Sequence, residues 1–180
     1  MPRLALKPIP KPILMPVPNA DRRPSGDFDF FMGIWKCRHR YRVRRLVDCH
    51  DWIEFDGTCA ARKILGGYGN TDESEIGLPG NRYRGMSIRT WDAERGLWSI
   101  YWLDSRRPAH LGPPVEGGFE ETRAGKLGTF LGEHEFEGRA VRVRYLWSRI
   151  SAASARWEQA FSLDEGNRWE TNWVMDFSRI

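Results

Sequence analysis

The chain has 180 residues, of which 41% are hydrophobic and 29% charged, and a formal net charge of +4. That length and balance suit one globular domain with a buried core and exclude global disorder. The arginines are spread along the chain from Arg3 to Arg179 rather than gathered in one segment, which argues against nucleic acid as a partner, and no apolar run approaches the roughly 20 residues of a membrane-spanning helix.

Residues 1–26 form a distinct first unit, broken by Pro2, Pro8, Pro10, Pro12, Pro16 and Pro18. Proline fixes φ and removes amide donors, so this segment reads as an extended arm. Its interleaved Leu4, Leu6, Ile9, Ile13, Leu14, Met15 and Val17 point to packing on the rest of the chain or on a second copy, as in a homodimer through the arm, with a loose tail as the alternative. It lacks the continuous apolar segment of a signal peptide. The odd set Cys37, Cys49 and Cys59 has no close pair and argues against a disulfide framework. Together these features predict a cytoplasmic protein.

From residue 27 to 180 the sequence reads as one β domain. Ten runs have strand character, near 34–47, 51–65, 68–76, 82–92, 96–104, 117–122, 126–135, 139–150, 154–164 and 167–178. Turn signals such as Glu94-Arg95-Gly96, Glu137-Gly138 and Glu165-Gly166-Asn167 separate them. No window after residue 33 carries a sustained helical stripe, and Asp27 to Met32 suits a short helical turn capping one end. Consecutive hairpins in this number predict an all-β fold, a single closed antiparallel up-and-down barrel.

The first strand is the clearest. Trp35, Cys37, His39, Tyr41 and Val43 alternate with Lys36, Arg38, Arg40, Arg42 and Arg44, which puts an aromatic face inside and a basic ladder in water. The whole arginine run up to Arg45 then reads as a solvated outer face. In later strands both faces carry aromatics. Trp98, Ile100 and Trp102 are expected inward, as are Trp169, Thr171, Trp173, Met175, Phe177 and Arg179. Asn172 falls on the opposite parity. Gln159 shares parity with Trp157 and Phe161 and is placed inside, while Arg142 and Arg144 are placed outside.

Gly33-Ile34-Trp35, at the head of the first strand, resembles the Gly-x-Trp signature of lipocalins and their calycin relatives. The resemblance implies a Trp35 packed across the closed barrel end and covered by a basic residue of the last strand, here Arg179. Longer stretches are similar to an uncharacterised bacterial family of calycin-like barrels: Phe28 to Trp35, Trp52 to Cys59, Ile64 to Gly67, Trp98 to Asp104, Arg156 to Ser162 and Trp169 to Phe177. That resemblance covers roughly residues 27–180 and implies a fold rather than an activity. The nitrobindin-like branch of calycins binds haem through a late His, but no His follows His134, so that ligand has no counterpart.

The four histidines His39, His50, His110 and His134 are scattered and predict no metal site and no cofactor. No nucleophile elbow is present, and Gly66, Gly67 and Gly69 lack the Lys and helix of a phosphate cradle. The expected function is therefore binding of a small apolar or aromatic molecule inside the barrel, lined by His39, Tyr41, Trp102, Tyr145, Gln159 and Trp173. Two alternatives stand beside it. One is an isomerase- or cyclase-type enzyme using His39 or Glu158 as acid or base. The other is an assembly module acting through the arm.

Overall fold

A computed structural model describes residues 25–180. The reading of residues 1–26 as an arm therefore lies outside the described residues, apart from Ser25 and Gly26. The chain forms ten strands: β1 (Gly33–Arg42), β2 (Trp52–Ile64), β3 (Gly69–Ile76), β4 (Tyr83–Asp92), β5 (Leu97–Asp104), β6 (Val115–Thr122), β7 (Gly125–Phe136), β8 (Arg139–Ser148), β9 (Ser154–Ser162) and β10 (Glu170–Arg179). Each pairs antiparallel with its neighbours in sequence, and β1 closes the sheet on β10, so no strand edge is left open. The predicted all-β, closed, up-and-down barrel is the observed architecture. Among the described residues no helix is long and apolar enough to cross a membrane.

Local chemistry sets the turns. At Glu137-Gly138 both residues have positive φ, 51° and 75°, between the paired Phe136 and Arg139. That is a two-residue hairpin whose twist matches the strands it joins. On β1 the alternation appears as expected, with Trp35, Cys37 and His39 buried and Lys36, Arg38 and Arg40 exposed. The strand nevertheless stops at Arg42, not at residue 47. Positive φ at Leu46 (58°) and Asp48 (54°) turns the chain away from the sheet.

One end of the barrel is plugged from inside by a 3₁₀ turn, Asp29–Phe31. Phe28 and Phe31 are buried there, and Phe31 lies 4.8 Å from the Trp147 ring, 5.2 Å from Phe177 and 5.8 Å from Trp35. Burying each such ring contributes on the order of 2–3 kcal/mol, before the gain from aromatic edge contacts. The Trp35 indole N–H donates to the Phe31 carbonyl at 2.7 Å. Arg179, opposite Trp35 in register, lies 4.2 Å from its ring. It also donates to the carbonyls of Phe30 (2.6 Å), Met32 (2.7 Å) and Ala152 (2.6 Å). Gly33 has φ +119°, and a Cβ there would come within 2.7 Å of Arg179 Nη1. The plug, the tryptophan and the last-strand arginine thus lock together around a position that requires glycine.

Two expectations for β10 are corrected. A bulge between Thr171 and Trp173 inserts Asn172 as an extra residue. Trp173, Met175 and Phe177 face inward and buried, but the phase is broken before them. Asn172 is turned inward to the Gln159 amide, and Trp169 lies on the outside, 4.5 Å from the guanidinium of Arg144.

Candidate functional site

The interior beyond the plug holds two cavities in succession along the barrel, sharing Ile100, Trp102, Tyr145, Gln159 and Trp173 in their walls. The inner one, of about 50 Å³, is bounded below by Phe31, Trp147 and Phe177. The outer one, of about 210 Å³, opens at the other end past Tyr41, Arg45, His110 and His134.

The inner cavity has a polar wall built by β3 and β4. Asp72, Ser74, Ser87 and Arg89 point into it, because on these strands the inward parity is the polar one. Arg89 and Asp72 are only 4% and 5% exposed, and Nη2 of the arginine lies 2.6 Å from Asp72 Oδ1. The contact is a charge pair rather than an aligned hydrogen bond, since no N–H points along it. A hydrogen bond from Arg89 Nη1 to Asn70 Oδ1 at 3.0 Å completes the anchoring. The guanidinium also sits 5.1 Å and 5.2 Å from the Phe28 and Phe31 rings, so the polar wall rests on the plug. Its Nε has no partner among the described residues.

The opposite wall is aromatic and held in place by side-chain hydrogen bonds. Trp173 donates its indole N–H to His39 Nδ1 at 3.1 Å. His39 stacks on Phe55 at 4.7 Å, with 12° between the rings. Burial pushes the His39 pKa down to about 4, against a weaker pull from Asp56, so the ring is neutral and carries its proton on Nε2. That nitrogen is buried without a hydrogen-bond partner among the described residues and faces Gly57, where a Cβ would come within 2.7 Å of it. Gln159 donates its amide N–H to Asn172 Oδ1 at 2.8 Å. Trp102 swings over Gly85, where a Cβ would collide with its ring. Burial raises the Tyr145 pKa to about 12, while Arg45 and Arg89 pull it the other way, so the phenol sits between the guanidinium of the mouth and that of the floor.

The residues expected at the site fall in three places. Trp102, Tyr145, Gln159 and Trp173 line both cavities, and Tyr41 lines the outer one. His39 lines neither and stands one layer back, behind Trp173. Glu158 sits on the parity opposite Trp157 and Gln159, next to Arg144. Asp72, Arg89, Arg45 and His134 also line the cavities and were not among the expected lining. For Asp72 a signal was present, since it shares parity with the apolar Ile76; Arg89 shares parity with Tyr83, but the apolar Met86 and Ile88 on the other face of β4 mask it. Arg45 shares parity with Tyr41 and is not part of the outer ladder. It leaves the sheet and folds over the mouth, 4.1 Å from the Tyr41 ring.

Among the described residues, no group of three or more His, Cys, Asp or Glu side chains converges as a metal site would require. All three cysteines are buried and unbridged, and a hydrogen bond with Cys37, together with burial, raises the Cys59 pKa. The described residues form a closed, ten-stranded antiparallel barrel with an aromatic interior. No family model matches the chain, and no curated protein matches it.

Proposed function

We propose that this barrel binds a small, flat, largely apolar molecule in its outer cavity, with polar groups of the interior fixing its orientation. The observation that carries this reading is the shape of the interior itself. Trp102, Trp173, Tyr41 and Phe161 frame an outer cavity of about 210 Å³ that narrows onto Gln159 and Tyr145, instead of being filled by their side chains. Apolar walls with a few convergent polar groups are the usual composition of a small-molecule pocket. His39 acts in this reading as a positioning residue, since it holds Trp173 at a set angle.

Native mass spectrometry of the purified protein, run beside the denatured chain, tests the reading. A small mass retained by the folded form and released on denaturation is expected. An empty chain that also fails to bind any of a panel of naphthalene and indole derivatives would refute it.

A further inference from the structure

Most interior charges of this barrel are matched. Arg89 is matched by Asp72 within the inner cavity. At the mouth, Arg106 lies 3.7 Å from the Tyr83 ring and is held by Asp104 through contacts of 2.6 Å and 3.1 Å. Arg45 is different. Its guanidinium packs among the Tyr41, Phe136 and Phe161 rings at 4.1, 5.6 and 5.7 Å, and its Nη2 is buried with no hydrogen-bond partner among the described residues. Glu170 is close enough to act on it electrostatically, but that carboxylate is committed elsewhere. One oxygen accepts from the Leu46 amide at 2.9 Å and the other lies 3.7 Å from Arg42. Glu135, the remaining acid in the cavity wall, is exposed at the rim and forms no ion pair with Arg45.

A buried, unpaired guanidinium N–H is costly, and a cavity wall is where an incoming group relieves that cost. Arg106 also acts on Arg45 as a like charge, so an anion between them is doubly favoured. The tyrosines Tyr41 and Tyr145 line the same cavity, which adds phenol groups beside the guanidinium.

We infer that the ligand of the outer cavity is an aromatic monocarboxylic acid, its carboxylate taken by Arg45 at the mouth and its ring system lying against Trp102 and Trp173. The inference rests on the binding reading above and deepens it. A planar carboxylate matches the fork of a guanidinium, and one cation with no ion-paired carboxylate among the described residues calls for one negative charge. The inner cavity, at about 50 Å³, is too small for a ring, so the aromatic body belongs in the outer one.

Calorimetric titration with naphthoate and with naphthylmethanol, which share a ring system and differ in charge, tests this. Naphthoate is expected to bind about 10- to 100-fold more tightly, the worth of a hydrogen bond to a charged group. Arg45→Met is expected to bring naphthoate down to the level of the alcohol while leaving the alcohol unchanged. Arg45→Lys, which keeps the charge without the fork, should restore part of the preference, and it carries the test if the methionine variant does not fold. Equal affinities in the wild type would overturn the anion site and leave the binding barrel standing. A preference that survives in both variants would overturn the role of Arg45. Binding of neither probe would overturn the inference, while the native mass spectrum separately decides whether the barrel binds anything.

Discussion

Replacing Asp72 with Asn tests the buried charge pair of the inner cavity. The substitution keeps the shape and removes the negative charge of Asp72 that faces Arg89, which is 4% exposed. The hydrogen bond to Asn70 and the ring contacts to Phe28 and Phe31 remain, but none of them carries a counter-charge. Stranding a buried charge in this way costs about 3–5 kcal/mol. For a domain of this size that lowers Tm by about 6–20 °C, and it removes a large share of the total stability, which is on the order of 5–15 kcal/mol. Urea unfolding followed by tryptophan fluorescence reads the loss directly. The double variant D72L/R89M supplies the decisive comparison. If the cost of the single variant comes from the stranded charge, removing both members recovers most of it, because a buried pair exchanged for apolar groups is close to neutral. A loss below about 1 kcal/mol in Asp72→Asn, or a double variant no better than the single one, would refute the reasoning.

Acid should weaken the fold through His39. Its pKa is about 4 in the folded state against the ordinary value of 6.5. The unfolded chain therefore takes up the proton first. The stability contributed by keeping the ring neutral is complete above pH 6.5 and is lost as pH falls towards 4, a change of about 3 kcal/mol. Urea midpoints at pH 7 and pH 4.5 should differ less in His39→Phe than in the wild type, and equal differences would count against the assignment. Gly57→Ala should destabilise by about 1–3 kcal/mol, because its Cβ would come within 2.7 Å of His39 Nε2 and within 2.5 Å of the Glu75 carbonyl oxygen. A loss of the Trp173 contribution to the near-ultraviolet circular dichroism should accompany it. Arg179→Met should cost about 1–3 kcal/mol by leaving the Phe30, Met32 and Ala152 carbonyls without their donor. Faster hydrogen exchange in the Asp29–Phe31 turn would locate that effect.

Side-chain alternation is a local property, so the features that depend on it alone could be read without a structure. The inward set Trp35, Cys37 and His39 on β1, the arginine ladder opposite them, the Glu137-Gly138 hairpin and the closed all-β fold all follow from a period of two residues and from turn chemistry. Positions where the alternation changes phase were not legible. The bulge at Asn172 reverses the parity of Trp169, and β1 ends at Arg42, which leaves Arg45 off the sheet and over the mouth. On β4 the apolar Met86 and Ile88 point outward while Ser87 and Arg89 point in, against the usual rule. That inversion depends on partners remote in sequence: Arg89 is held inside by Asp72 and Asn70 on β3 and by the phenylalanines of the plug. A buried charge is stable only where its counter-charge and its hydrogen-bond partner meet it, and the pairing of β3 with β4, which sets Asn70 opposite Arg89, brings them together. The sequence by itself determined that a barrel forms and which way its first strand faces. The tertiary structure decided which polar groups it encloses, because that choice belongs to pairs of residues rather than to any one run of chain.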